Sequence, residues 1–193
     1  GYPRPSLNTS RKILGFGVPP QQLGIGASLR YKDWNASFLV EGKSGAQVFS
    51  GTNVRLIGYG LHQMTVPSGG REAGFVPDGV LEDGTPITQS LDYTQQQNYW
   101  GRYNDVAEAG IYDSDYFRMR QMSVGYTFPK TMLEGTFIQS ASVSLIGKNL
   151  FFIHNSVPNV DPESAYNNSN SQGLEFAGMP VPSTVGINVN LKF

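Results

Sequence analysis

Thr184-Val185-Gly186-Ile187-Asn188-Val189-Asn190-Leu191-Lys192-Phe193 closes the chain with an unbroken alternation. Val185, Ile187, Val189, Leu191 and Phe193 are apolar, and the residues between them are small or polar. Successive side chains of an extended chain point to opposite sides, so the two sets occupy opposite faces of one strand. About ten residues is also the length that a tilted strand needs to cross a bilayer. One face then suits lipid and the other an aqueous lumen.

The composition agrees with strands and long connections. Of 193 residues, 39% are hydrophobic and only 15% charged, with 23 Gly and 12 Pro supplying turns. No apolar run is long enough for a membrane-spanning helix, which says nothing against a barrel. A net charge of −1 creates no field to attract nucleic acid, so a nucleic-acid partner is not expected. Without cysteine there is neither a disulfide framework nor a thiolate metal site. The start, Gly1-Tyr2-Pro3-Arg4-Pro5, has no initiator Met and no signal-peptide pattern, and reads as the interior of a longer chain.

Working back from the last strand, alternation recurs in four places. Leu23 to Tyr31 and Trp34 to Glu41 alternate on either side of Lys32-Asp33, a hairpin pattern. Met122, Val124, Tyr126 and Phe128 form the apolar row of a strand over about 116–128, which Pro129 ends. Val143 and Leu145 belong to a fourth strand over about 139–153, and the fifth is 184–193. Between them lie residues 1–21, 42–115 and 155–182, rich in Gly, Pro, Asn and Ser and read as loops; a short helix is possible between Ala46 and His62. The expected fold is all-β, with five antiparallel strands. Short and long connections alternate strictly, as in outer-membrane barrels, where turns are periplasmic and long loops extracellular. Lys32-Asp33 and 129–134 would be periplasmic, and the long segments extracellular. Lipid-facing side chains would be Val185, Ile187, Val124, Tyr126, Phe128, Val143 and Leu145. Trp34, Tyr31, Tyr126, Phe128, Phe151 and Phe152 fall near strand ends, where interfacial aromatic girdles belong, although the core of a soluble β-sandwich would use the same residues.

Candidate chemistry is sparse. His62 and His154 are the only histidines and lie in no hydrolase or metal motif, so no catalytic residue, metal ligand or cofactor is assigned and an enzyme is not expected. Asp78, Glu82 and Asp83 do not have calcium-loop spacing and read as solvated turns. Asp161 and Glu163, after Pro158, read as acids that structure a loop. The run Tyr93 to Asn104 is rich in rings and amides. Tyr99, Trp100, Arg102 and Tyr103 in it suit a sugar, a protein partner, or simply the packing of the loop on itself.

Arg118 to Pro129 (RMRQMSVGYTFP), Val143 to Phe151 (VSLIGKNLF), Asn159 to Glu163 (NVDPE) and Pro180 to Thr184 (PVPST), in this order, resemble the carboxyl-terminal end of SusC/RagA-type TonB-dependent transporters of Bacteroidota. Phe38 to Asn53 and Gly69-Gly70-Arg71-Glu72 are similar too. The resemblance implies the last strands of a 22-stranded, plugged outer-membrane barrel, and active import of glycans or peptides. It implies as partners the remaining strands and plug, a SusD-type surface lipoprotein, TonB through segments outside this chain, and membrane lipid. A dimer of transporter–lipoprotein pairs is also implied. Phe193, with Leu191 and Val189, resembles the signal read by the barrel-assembly machinery. A soluble glycan-binding β-domain and a passive barrel or adhesin share the alternation and remain alternatives.

Overall fold

The computed structural model describes residues 10, 12–164 and 171–193; parts of the expected loops 1–21 and 155–182 lie outside them. Its main element is an antiparallel sheet in the order β1 (Gln21–Tyr31), β2 (Trp34–Ser44), β5 (Tyr116–Thr127), β6 (Ser140–Lys148) and β9 (Thr184–Lys192). Lys32, at a φ of 53°, makes the two-residue turn between β1 and β2. Pro129 and the single helical turn α3 (Lys130–Leu133) lead from β5 to β6.

Register aligns the alternation of every strand across the sheet. Tyr31, Trp34, Tyr126, Val143 and Val189 are successive cross-strand neighbours, and Leu29, Ala36, Val124, Leu145 and Ile187 form the next row. The opposite face carries Arg30, Asn35, Gly125, Ser144 and Asn188, then Ser28, Ser37 and Ser123, the last two hydrogen-bonded at 2.8 Å. Nothing in the described residues covers the apolar face: Leu29 is 70% exposed and Ile187 73%. Both outer strands, β1 and β9, are exposed along their whole length. At the turn end, the rings of Trp34 and Tyr126 lie 4.9 Å apart, Tyr126 and Phe128 5.3 Å, and Phe193 stacks on Phe137 at 5.6 Å.

One irregularity governs the other end. Strict alternation back from Met122 would put Arg120, Arg118 and Tyr116 on the apolar face. A β-bulge facing Leu39 and Val40 absorbs one residue of β5, so Met119 pairs with Val40 and Arg118 with Glu41 on the polar face. The neighbouring strand breaks to match. Asn149, at a φ of 51°, donates its backbone N–H to Arg120 O (2.9 Å), and Leu150 donates to Met119 O (3.1 Å). The expected single strand over 139–153 is therefore two, β6 and β7 (Phe152–Asn155), the latter pairing with β5.

The redirected guanidiniums hold the second long connection. Arg118, 3% exposed, is bonded to Asp161 and Glu163 and lies 3.9 Å above the Phe152 ring. Arg120 donates to Glu41 (2.7 Å), Asn149 (2.8 Å) and Glu163 (2.6 Å), and the Tyr116 hydroxyl donates to Glu163 (2.7 Å). Asp161 also accepts the backbone N–H groups of Glu163 (2.9 Å) and Val181 (3.0 Å), so one carboxylate pins two parts of the 155–182 connection to the sheet.

Residues 42–115, expected as loop, contain a second layer. β2 runs on to Ser44, and β3 (Gln47–Ser50) pairs antiparallel with β4 (Ile111–Asp113) and parallel with β8 (Leu174–Glu175). Helix α1 (Gly51–Gly58) follows β3 directly, and α2 (Tyr93–Gly101) lies further along.

Asp161→Ala leaves the buried Arg118 short of a partner, which should loosen the connection by roughly 3–5 kcal/mol. Faster hydrogen exchange at the Glu163 and Val181 amides is the expected sign, and unchanged exchange would mean that the ion cluster is idle. Burial alone would raise the Glu163 carboxyl, but Arg120, Tyr116 and Arg118 outweigh it and hold it below its usual value. A carboxyl lowered on folding stabilises above its unfolded value of about 4.3 and loses that contribution as pH falls through the folded one. The same amides should therefore keep their protection at neutral pH and lose it only in acid, below about pH 4.

Candidate functional site

The second layer is held together by three residues at the start of α1. Ser50 caps the helix by accepting the Asn53 N–H (3.1 Å) and donates its hydroxyl to Glu175 (2.6 Å), 125 residues away. Thr52 donates to the other oxygen of the same carboxylate (2.6 Å), which also accepts the Gly178 N–H (3.1 Å). Glu175 is only 2% exposed, and three hydrogen-bond donors around its carboxylate offset the cost of burying an acid. Asn53, fully buried, donates to Pro158 O (2.9 Å) and accepts from Asn159 (2.9 Å). The start of α1 thus gathers the 155–164 and 174–178 segments around it.

Helix α2 begins with a capping box: Asp92 accepts the Gln95 N–H (2.8 Å) and the Gln95 side chain accepts the Asp92 N–H (2.9 Å). Its far end presents Tyr99 and Trp100 to Ile57 of α1, where all three are buried, with Phe75, Leu91 and Tyr103 packed around them. Tyr99 and Trp100 meet edge to face at 4.9 Å, and Phe75 lies 5.1 Å from each. Burial, then the neighbouring Tyr103, push the Tyr99 hydroxyl up to about 12, so it stays protonated. Of the four residues singled out from sequence, Tyr99, Trp100 and Tyr103 therefore belong to the packing of this layer, and Arg102 follows as the helix cap.

Trp100 also faces a cleft of about 360 Å³, enclosed by Gly58, Tyr59, Gly60, Thr65, Arg71, Tyr93, Gln96 and Gln97. Gly60, at a φ of 69°, turns the chain back after α1, a conformation that glycine adopts freely. Its carbonyl accepts from Arg71 (2.5 Å) and so draws that guanidinium to the cleft. Tyr59 and Tyr93 are 75% and 81% exposed. Gln96 spends one N–H on Leu91 O (2.9 Å). Between Gly60 and Thr65 in the chain, His62 accepts the Met64 N–H through Nδ1, and burial lowers its pKa. Rings, amides, hydroxyls and one guanidinium among the described residues are the chemistry of binding. Tyr59 and Arg71 were not singled out from sequence, because three separate segments meet here; the glycines beside them are the only local sign.

The acids Asp78, Glu82 and Asp83 do not converge with other ligand groups, and among the described residues no three metal-ligating side chains cluster. Asp83 instead accepts from the Thr85 N–H (3.0 Å) and hydroxyl (2.5 Å), which lower its carboxyl pKa.

No family profile matches the chain. Two sequence relatives come from Formosa agariphila. TonB-dependent receptor P3 is 25% identical over 189 residues, which is 95% of this chain and 17% of the receptor. TonB-dependent receptor P26 is 23% identical over 186 residues, 94% of this chain and 18% of the receptor. The chain therefore spans less than a fifth of the length of these relatives. In structure it is similar to a chain of the RagAB peptide transporter, with a TM-score of 0.59 at 15% identity over 92% of this chain and 17% of that one. The RagAB peptide importer in its open-open state gives 0.56 at 14% identity, over 91% and 17%. In sequence the chain is thus similar to a segment of TonB-dependent receptors, and in fold to a segment of a RagAB chain.

Proposed function

We propose that the chain is the carboxyl-terminal part of the barrel wall of an outer-membrane TonB-dependent importer of glycans or peptides, with the layer around α1 and α2 on the extracellular side. The observation that carries this is the uncovered apolar face, five strands wide and rimmed with aromatic rings at its turn end. Contiguous apolar surface of that extent is unstable in water and natural in lipid. Among the described residues the outer edges of β1 and β9 have no strand partner, which supports the same reading, because unpaired backbone cannot remain open in a bilayer and the rest of the barrel must satisfy it. A soluble glycan-binding domain would need a second layer over the apolar face. The polar face with its ion cluster would line the lumen. A SusD-type lipoprotein is the proposed partner on the outer side, and Phe193, Leu191 and Val189 are the proposed barrel-assembly signal.

A passive barrel would share this wall but not the energy requirement. Uptake by the whole receptor should therefore disappear in cells without TonB, and persistence there would support the passive reading. Locally, Val189→Arg should destabilise the folded receptor in lipid vesicles by roughly 2–4 kcal/mol if Val189 lies near the midplane, with Asn188→Arg nearly neutral. Urea titration of both variants checks the difference, and equal tolerance would contradict the face assignment.

A further inference from the structure

We infer that the cleft between α1 and α2 binds an anionic oligosaccharide. The inference rests on the outer-face placement proposed above and concerns a site distinct from the barrel lumen. The volume, about 360 Å³, lies within the range of small-ligand sites. Its floor is Trp100, locked by Phe75, Tyr99 and Tyr103 at 4.9–5.3 Å and so ordered before any ligand arrives. At its rim Tyr59 and Tyr93 keep most of their surface in solvent, a costly use of two large rings unless something stacks on them. Apolar faces of sugar rings fit that role, and the amides of Gln96 and Gln97 can both donate to and accept from sugar hydroxyls.

Charge selects the kind of sugar. Among the described residues, Arg71 is the one charged residue lining the cleft, and no carboxylate lines it. Its bond to Gly60 O uses one donor and leaves the remaining N–H groups of the fork for a carboxylate or sulfate. A peptide is less well served: the walls are a helix end, a turn and a second helix, so an extended backbone finds no strand edge to pair with.

The test is calorimetric titration of the whole receptor in detergent with an oligogalacturonate, a sulfated carrageenan oligomer, a neutral malto-oligosaccharide and an acidic oligopeptide. Binding of at least one acidic sugar is expected, the two probes separating carboxylate from sulfate. Arg71→Gln should weaken it about tenfold while leaving any neutral-sugar affinity unchanged, and Tyr59→Ala and Tyr93→Ala should weaken it about as much. Glu72→Gln, next to Arg71 but outside the lining, should have no effect. Absence of binding by both acidic sugars, indifference to all three cleft variants, or binding of the oligopeptide alone would overturn the assignment. Membrane insertion and TonB-dependent uptake of the same variants are scored separately, so loss of the site is distinguishable from failure of the importer reading.

Discussion

A guanidinium on the apolar face of this sheet would be uncompensated, and much of the architecture follows from keeping Arg118 and Arg120 off that face. Period-two geometry offers no gradual solution, because a strand either keeps its parity or changes it by a whole residue. The bulge in β5 changes it once, between the apolar row Met122 to Tyr126 and the charged stretch that precedes it. The neighbouring strand must then break at Asn149, and the guanidiniums so redirected meet Glu41, Asp161 and Glu163 on the polar side. Parity, strand break and loop anchorage are consequences of one inserted residue.

The same logic joins the wall to the layer beyond it. Arg118 and Arg120 fix 161–163, and Asn53 at the start of α1 binds the adjacent Pro158 and Asn159. Glu175 ties the end of that connection to Ser50 and Thr52. The sheet positions the loop, the loop and β3 position α1, and Ile57 of α1 positions Tyr99 and Trp100 of α2. The cleft therefore stands on a chain of buried polar contacts rather than on a large apolar core, and both terminal nitrogens of Arg118 and both oxygens of Glu175 are hydrogen-bonded, as burial of charged groups demands.

How much of this was legible in the sequence depended on how local its cause is. The apolar rows of 23–31, 34–41, 122–128 and 184–193 were visible because a half-apolar strand needs nothing but its own alternation. The bulge was not, although Arg118-Met119-Arg120 alternates out of phase with the row from Met122, because only the partner strand shows where the extra residue is absorbed. The capping box of Asp92 and Gln95 is a local signal that marks the start of α2, yet it was hidden inside a segment read as loop. Glu175 could not have been assigned, because its partners lie more than 120 residues away. Tyr99 and Trp100 were noticed for their chemistry, but only packing shows that they form the floor and support of the cleft while Tyr59, Tyr93 and Arg71 supply its accessible surface.

The central claim is that the apolar rows face lipid and the polar rows a wet lumen. The chain contains no cysteine, so single cysteines can be placed along β9 from 185 to 190 in the membrane-inserted receptor and labelled with a fluorophore. Brominated lipid should quench the labels at 185, 187 and 189, while a water-soluble quencher reaches those at 186, 188 and 190. Quenching without alternation, or with the two sets exchanged, would contradict the account.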